Sequence, residues 1–267
     1  MGRRLLTIQA VLVFAFMYLP IAIVVAYAFN GGRQVLVWDG FSTKWFGEAL
    51  HDEVIRDALR NSVVIATGNA IVACVLGTML ALALGKMRPG VRAPFDALVT
   101  MTLVTPEIVF GIAALVFFVE AGVGLGLGTI LIAHVVFNAS VVALVVRARF
   151  VGMGQTLEEA SYDLGSGPLS TFRQVTLPRL APAILAGGLL AFTFSFDDFY
   201  TSFFVSGAGT TTLPLFIFSS LRFGVSPVVN ATAVLVLGLT LVAVVVAYVV
   251  LRRSSDDARG SQTVPGL

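Results

Sequence analysis

The chain has 267 residues, of which 57% are hydrophobic and 12% are charged, and its mean hydropathy is +0.94. About a quarter of the residues of a soluble domain are charged, so this composition excludes an ordinary water-soluble domain and indicates a protein that folds in lipid. The formal net charge of +2 and the scattered basic residues give no reason to expect a nucleic-acid partner. The one cysteine, Cys74, excludes an internal disulfide.

Six apolar segments are long enough to cross a bilayer. An α-helix rises about 1.5 Å per residue, so about 20 residues cross a hydrocarbon core about 30 Å thick. In chain order the predicted spans are residues 5–29, 61–85, 97–119, 121–146, 180–205 and 228–251. Because lipid cannot satisfy an open backbone, each span is expected to be helical. The sequence therefore predicts an all-α polytopic membrane protein with six transmembrane helices.

The connecting segments differ in their content of lysine and arginine. The N-terminus, the second and fourth connections and the C-terminal segment carry 12 of the 17 basic residues, and the other three connections carry 5. Basic segments stay on the cytoplasmic side, so both termini are predicted to be cytoplasmic. Ala26-Tyr27-Ala28 imitates a signal-peptide cleavage site, but the apolar run before it is longer than a signal core. We therefore interpret that run as the first span.

The domain organisation predicted from these spans is simple. Residues 1–253 form a single transmembrane domain with a long cytoplasmic loop over 147–180, and residues 254–267 form a polar cytoplasmic tail. The external segment 30–60 contains aromatic residues, Trp38 and Trp45 among them, of the kind found at membrane interfaces.

A short apolar stretch, residues 213–218, lies in the external segment 206–227. It is too short to span the bilayer, so it can instead dip back into the bundle.

The cytoplasmic loop is predicted to contain two short helices joined by a turn. Residues 156–164 are expected to form the first helix, with two acids near its start that suit the helix dipole. Gly165 permits the left-handed conformation that ends such a helix. Ser170 is predicted to cap a second helix over residues 172–177, which Pro178 interrupts before the fifth span.

The spacing within this loop resembles the EAA loop of permease subunits of binding-protein-dependent ATP-binding cassette (ABC) importers. The pattern is Glu-Ala-Ala, three residues, Gly, nine residues, Ile, one residue and Leu-Pro. Its counterparts in this chain are Glu159, Ala160, Ser161, Gly165, Val175, Leu177 and Pro178. Ser161 stands for the second alanine and Val175 for the isoleucine, both mild changes of size. The resemblance implies that these residues couple the chain to an ATPase, with the helix around Glu159 docking in a groove of that subunit.

The resemblance also implies an architecture and a set of partners. The fold is expected to be that of the six-helix type I ABC-importer permease, located in a bacterial inner membrane. The partners would be a second permease subunit in a heterodimer, two copies of an ATPase subunit and an extracytoplasmic solute-binding protein. No glycine-rich phosphate loop ending in Gly-Lys-Ser/Thr is present. The chain is therefore expected to bind no cofactor itself, with ATP and Mg²⁺ bound by the ATPase.

A longer stretch, from about residue 105 to residue 251, is similar to the second permease subunit of spermidine/putrescine importers. The matching segments are Pro106-Glu107-Ile108-Val109, Phe192 through Asp198, Leu213-Pro214-Leu215, Gly224 through Pro227 and Asn230-Ala231. Relatives that carry iron, thiamine or other small solutes share parts of these motifs. The resemblance implies polyamine import, with another small solute, such as a different organic cation, as the alternative.

Acidic residues within the spans independently favour a cationic solute. A charged Asp near the bilayer centre costs about 2.5–3.5 kcal/mol on insertion scales, so Glu107, Asp197 and Asp198 are candidates for a substrate pathway. On one continuous helix the two adjacent aspartates would point about 100° apart, so at most one would face the path. Phe199 and Tyr200 are candidates for cation–π contacts with an ammonium group. Replacement of each acid by Asn is expected to impair uptake without preventing assembly.

Each of these residues has a structural alternative. Asp197 or Asp198 can cap a helix break or pair with an arginine of a partner subunit, and Glu107 can lie at a hydrated depth. His134 in the fourth span is expected to hydrogen-bond a neighbouring helix rather than to carry protons.

Two other classes of function fit the sequence less well. A membrane enzyme would need a nucleophile–base pair or a metal constellation, and the chain offers two histidines, His51 and His134, one cysteine and no HExxH spacing. An ion-coupled transporter or a channel would suit buried acids but would not need an EAA-type loop.

Overall fold

The computed structural model of the protein describes residues 2–33, 37–154, 156–222 and 226–242. Within these ranges the regular structure is helical, apart from one isolated bridge between Asn30 and Phe41. The helices are α1 (Gly2–Ala28), α2 (Lys44–His51), α3 (Glu53–Lys86), α4 (Pro89–Val104), α5 (Glu107–Glu120), α6 (Leu127–Gly152), α7 (Thr156–Asp163), α8 (Pro168–Thr171), α9 (Leu177–Asp197), α10 (Tyr200–Val205), α11 (Leu213–Arg222) and α12 (Pro227–Val242).

The described residues form two compact units. One lies within the ranges Met1–Arg56 and Phe216–Leu267, and the other within Asp57–Leu215. The interpretation of residues 1–253 as a single transmembrane domain stays a prediction, and the tail over 254–267 lies outside the described residues.

Four helices in the described part of the chain are long and apolar enough to cross a membrane. They are α1, α3, α6 and the helix that runs from Pro168 to Asp197 through α8 and α9; the bent pair of α4 and α5 qualifies as a fifth. α12 is a shorter apolar helix at the position of the predicted sixth span, whose residues 243–251 lie outside the described residues. The helical fold predicted from the sequence is confirmed, although individual spans differ from the prediction.

The predicted third span is two helices rather than one. α4 and α5 meet at an angle of 108°. Pro106 accounts for the break, because it has no backbone N–H and its ring disfavours a helical backbone at Thr105, which is extended (φ −61°, ψ 128°). Glu107 therefore lies in the first turn of a new helix.

The predicted fifth span is also broken. α9 ends at Asp197, Asp198 is extended (φ −65°, ψ 114°), and α10 begins at Tyr200. The two aspartates do not follow each other on one helix, so the expected separation of about 100° does not apply. Instead, the backbone N–H of Ser202 donates to Oδ1 of Asp198 at 3.1 Å, so Asp198 stabilises the first turn of the new helix.

The fourth span is shifted toward the C-terminus relative to the prediction. Residues 121–126 contain three glycines, including Gly122 with φ +67°, and they form a turn instead of the first part of a helix. α6 begins after this turn and continues to Gly152, so the basic residues Arg147 and Arg149 lie inside the helix.

The core of the unit within Asp57–Leu215 is formed by α3, α6 and α9. Ala73 and Ala81 of α3, Val142 and Val146 of α6 and Ala191 of α9 are buried in one apolar cluster. Gly77 permits this approach, because a Cβ there would lie 2.7 Å from the backbone oxygen of Ala139 and 2.7 Å from Cβ of Val142. Small residues at helix contacts are the usual means of close packing in membranes.

Salt bridges of Asp96 join α4 to α6 in the same unit. Asp96 of α4 accepts from Nε of Arg92, one turn earlier, at 3.0 Å, and it is also paired with Arg147 of α6. The bent third span is therefore attached to α6 on the N-terminal side of its bend.

The other unit is organised around Asn30, which is fully buried. Its Nδ2 donates to the backbone oxygen of Val37 at 2.6 Å, and the indole Nε1 of Trp45 donates to the backbone oxygen of Asn30 at 2.7 Å. The ring of Trp45 is buried and Trp38 is exposed, and an interfacial role for these residues stays a prediction.

Candidate functional site

A small cavity lies among the two broken spans and α6. It is lined by Glu107, Phe110, His134, Phe137, Asn138, Phe194, Asp198 and Thr201. It measures about 20 Å³, which is room for a group the size of one water molecule. The break at Pro106 and the break at Asp198 each bring one carboxylate to this cavity, although the two residues lie in different spans.

The chemistry of the lining suits a cation. The carboxylates of Glu107, which is exposed, and of Asp198, which is partly buried, provide negative charge at the cavity. The rings of Phe110 and Phe137 pack edge to face with their centroids 6.1 Å apart. Aromatic faces add cation–π attraction for an ammonium group that carboxylates hold nearby.

His134 connects α6 to both sides of the fifth-span break. Its Nδ1 lies 2.7 Å from the hydroxyl oxygen of Ser195 in α9, and its Nε2 lies 3.3 Å from that of Ser202 in α10. Nε2 is also 3.7 Å from Oδ2 of Asp198. A neutral ring that accepts from Ser195 donates from Nε2 toward Ser202 and Asp198. The expectation that His134 hydrogen-bonds a neighbouring helix is confirmed.

Two asparagines extend this polar network and were not predicted as site residues. Asn69 of α3 donates from Nδ2 to the backbone oxygen of Ala191 at 2.8 Å. Asn138 of α6 donates from Nδ2 to the backbone oxygen of His134 at 3.0 Å and to Oδ1 of Asn69 at 3.4 Å. The sequence signal was available, because an Asn four residues after a His within an apolar span places two polar side chains on one helix face.

The remaining residues of the predicted pathway are not brought to this cavity. Asp197 is exposed at the end of α9 and does not line the cavity. Phe199 and Tyr200 pack against each other with ring centroids 5.4 Å apart, and Tyr200 is exposed. That these three residues contact solute stays a prediction.

The predicted EAA-type loop forms a helix and a tight turn. α7 covers Thr156–Asp163, close to the predicted bounds, and Gly165 has φ +84°. The N–H of Gly165 donates to the oxygen of Tyr162 at 2.8 Å, and the N–H of Ser166 donates to the oxygen of Ser161 at 3.0 Å. These two bonds form a Schellman motif, which requires a left-handed residue. The role predicted for Gly165 in ending the helix is confirmed.

The second helix of the loop differs from the prediction. It begins at Pro168 rather than after Ser170, and it passes through a π-helical turn, Phe172–Thr176, into α9 without interruption. In this turn the N–H of Leu177 donates to the oxygen of Phe172. Because Pro178 has no N–H to continue the regular ladder, the wider turn accommodates the proline within a continuous helix. The predicted interruption at Pro178 is therefore wrong.

The two acids in the first turn of α7 lie in different environments. Glu158 accepts a hydrogen bond from the hydroxyl of Thr176 at 2.5 Å, which ties α7 to the following helix. Ser161 is joined to Thr171 by a hydroxyl–hydroxyl bond of 2.9 Å. Glu159 and Ala160 are exposed, and Leu164 beside the turn is 87% exposed. The loop is thus fixed from within by Glu158 and Ser161, and it presents Glu159, Ala160 and Leu164 outward.

We expect Gly165→Ala to cost about 1–2 kcal/mol in the stability of the loop conformation, because an L-residue with a side chain is strained at this φ. Among the described residues, no atom beyond the chain neighbours lies within 4 Å of the added Cβ, so the expected cost is backbone strain. Limited proteolysis of the purified subunit would detect faster cleavage in the loop. Gly152→Ala is the matched control, since Gly152 is helical and also has open space. Equal cleavage rates for Gly165→Ala, Gly152→Ala and the unsubstituted chain would contradict the expectation.

Comparisons with known proteins agree with the helical architecture and the loop. Residues 73–255 match the family model described as "Binding-protein-dependent transport system inner membrane component". The putrescine transport system permease protein PotI of Escherichia coli (strain K12) is 40% identical over 253 residues, covering 91% of this chain and 89% of that protein. The spermidine/putrescine transport system permease protein PotC of Haemophilus influenzae is 35% identical over 243 residues, covering 91% and 95%.

Solved structures of ABC transporters share the fold. A chain of a bacterial ABC transporter involved in the import of the acidic polysaccharide alginate has a TM-score of 0.67 at 19% identity, covering 94% of this chain and 96% of that chain. A chain of the MetNI methionine ABC transporter in an inward-facing conformation has a TM-score of 0.63 at 19% identity, covering 75% and 95%. The chain belongs to the family of binding-protein-dependent inner-membrane permeases, and it is a multi-pass transport subunit of the ABC-importer type.

Proposed function

We propose that this permease carries polyamines, putrescine and spermidine, into the cell. The observation that carries the proposal is the cavity where Glu107 and Asp198 meet, with phenylalanine rings beside them. Ionisable residues within membrane spans commonly mark the path of a substrate or an ion. Relatives with 34–40% identity over most of the chain are named as putrescine or spermidine/putrescine permeases, which supports the same class of cargo.

The proposal includes the partners that power transport. A second, related permease completes the pathway, two copies of a separate ATPase subunit bind ATP and Mg²⁺, and an extracytoplasmic protein delivers the solute. The outward-facing residues of the coupling loop, Glu159, Ala160 and Leu164, are the surface offered to the ATPase. Both termini lie in the cytoplasm, as the distribution of basic residues predicts.

The mechanism proposed is alternating access without covalent chemistry. ATP binding closes the two ATPase subunits, and the loop around Gly165 transmits that motion to the fifth span, to which it is joined through a continuous helix. Because Asp198 lies at the break in the same span, movement of α9 changes the position of the carboxylate relative to Glu107. The site then releases the cation to the cytoplasm.

Uptake of radiolabelled putrescine and spermidine tests the cargo. Cells that lack this gene and have no other operating polyamine importer should lose uptake, and a restored copy should recover it. Unlabelled polyamines should compete with the label, whereas thiamine and ferric citrate should not. Unchanged uptake after deletion in such cells would leave the permease assignment in place and move the cargo to another small solute.

A further inference from the structure

Asn138 has a side-chain oxygen that the fold leaves without a partner. The residue is 2% exposed and lines the cavity, and its Oδ1 has no hydrogen-bond partner among the described residues. A buried polar atom without a partner costs about 1–3 kcal/mol, and such atoms are rare in folded proteins. Asn138 lines the same cavity as Glu107 and Asp198.

The orientation of the Asn138 amide is fixed by its neighbours. Its Nδ2 faces two acceptors, the backbone oxygen of His134 and Oδ1 of Asn69. Oδ1 of Asn69 has to be an acceptor, because Nδ2 of Asn69 is used by the backbone oxygen of Ala191. Rotating the Asn138 amide would place Oδ1 against both acceptors, so the network keeps the oxygen free.

The polar groups around the cavity favour a group that only donates. Glu107 and Asp198 contribute carboxylate oxygens and Asn138 an amide oxygen, while Thr201 contributes a hydroxyl, which can accept as well as donate. A primary ammonium has three N–H donors and no acceptor. The cavity, at about 20 Å³, has room for one such group and not for a whole polyamine.

We propose that this cavity is a subsite for a single primary ammonium group, in which Oδ1 of Asn138 accepts one N–H while Asp198 and Glu107 neutralise the charge. The proposal rests on the proposed function and makes it more specific. The polyamine inserts one amine terminus at a time, and the remainder of the chain lies outside the cavity. Asn138 is then a substrate-binding residue that selects for N–H donors, whereas the carboxylates select for charge.

Uptake by the complete importer, measured per assembled complex, distinguishes a loss of substrate binding from a loss of folding or assembly. Asn138→Leu removes the acceptor, and we expect the rate with subsaturating putrescine to fall about tenfold or more, as for loss of a hydrogen bond to a charged group. Asn61→Leu is the matched control, because it makes the same chemical change at an asparagine of α3 that donates to the backbone oxygen of Thr211 and does not line the cavity. It should lower the rate per complex by less than about threefold. Equal losses in the two variants, or a normal rate in Asn138→Leu, would overturn the proposal.

A labelling experiment tests occupancy directly and does not depend on the leucine variants. In a Cys74→Ala background, Phe194→Cys, at an exposed residue of the cavity lining whose replacement leaves Asn138 in place, is treated within the full importer with the cationic thiol reagent 2-aminoethyl methanethiosulfonate. Putrescine should slow the reaction at least about threefold, because it occupies the subsite, whereas butane-1,4-diol, which has the same length and no charge, should not. No reaction of the introduced thiol, or no protection by putrescine, would overturn the subsite. If the unsubstituted importer takes up putrescine but putrescine does not protect the thiol, only the proposal of the subsite is contradicted. If the unsubstituted importer takes up no polyamine, the proposed function is contradicted.

Discussion

Asp198→Asn is expected to reduce polyamine uptake about a hundredfold while the subunit still inserts and assembles. The carboxylate lines the cavity with Glu107, and its loss leaves the cation with half of its countercharge. Removing one partner of a buried charge interaction costs about 2–5 kcal/mol, and each increment of about 1.36 kcal/mol is a factor of ten in rate.

The substitution by asparagine removes the charge of Asp198 and preserves its structural role. Asp198 also accepts from the N–H of Ser202, and Asn caps helices about as well as Asp, so α10 should remain in place. The measurement is initial putrescine uptake, normalised to the amount of subunit that co-purifies with its partners.

Asp197→Asn is the matched control for this prediction. It makes the same chemical change one residue earlier, at an exposed position that does not line the cavity. We expect its uptake to fall less than that of Asp198→Asn, because the Asp197 carboxylate does not line the cavity. If Asp197→Asn loses as much uptake as Asp198→Asn, or if neither loses any, the cavity is not the substrate path.

Glu159→Lys is expected to abolish both uptake and the ATPase activity stimulated by the binding protein, with the subunit still present in membranes. Glu159 is exposed in the first turn of α7, so reversing its charge alters the docking surface with little effect on the fold. Juxtaposing like charges at an interface costs several kcal/mol. The measurements are uptake in cells, and ATP hydrolysis by the reconstituted importer with and without binding protein.

Glu159→Gln provides the graded comparison. It keeps the size of the side chain and removes only its charge, so we expect partial coupling between that of the lysine variant and that of the unsubstituted chain. Each variant should be found in the membrane at the normal level, because the contact that ties α7 to the following helix is made by Glu158 with Thr176 and is left intact. Full coupling in Glu159→Lys would mean that this helix is not the docking element.

Much of the architecture follows from local features of the sequence. The apolar runs predicted the positions of α1, α3 and most of α6, and Gly165 predicted the end of α7, because hydropathy and left-handed turns depend on residue type alone. Pro106 lies within the predicted third span, but the sequence did not predict that one helix ends there and another begins. A proline can kink a helix or end it, and packing around it decides between the two.

The candidate site was predicted only in part for the same reason. Charges in apolar spans identified Glu107 and Asp198 as unusual residues. Sequence periodicity could not tell Asp198 from Asp197, because the helix breaks between them and only the structure shows which carboxylate faces the cavity. His134 and Asn138 were visible as polar residues four apart, yet their partners, Ser195, Ser202 and Asn69, come from three other helices.

The sequence by itself determined that the protein folds in a membrane and that its fold is helical. It also determined the family pattern of the coupling loop and the presence of acids in the spans. These features depend on composition and on spacings within a few turns of one helix. Only the tertiary structure decided that Glu107 and Asp198 share one cavity, that Pro178 lies within a continuous helix, and that Oδ1 of Asn138 has no partner in the described part of the chain. Each of these outcomes depends on contacts between segments far apart in the chain, which no local pattern encodes.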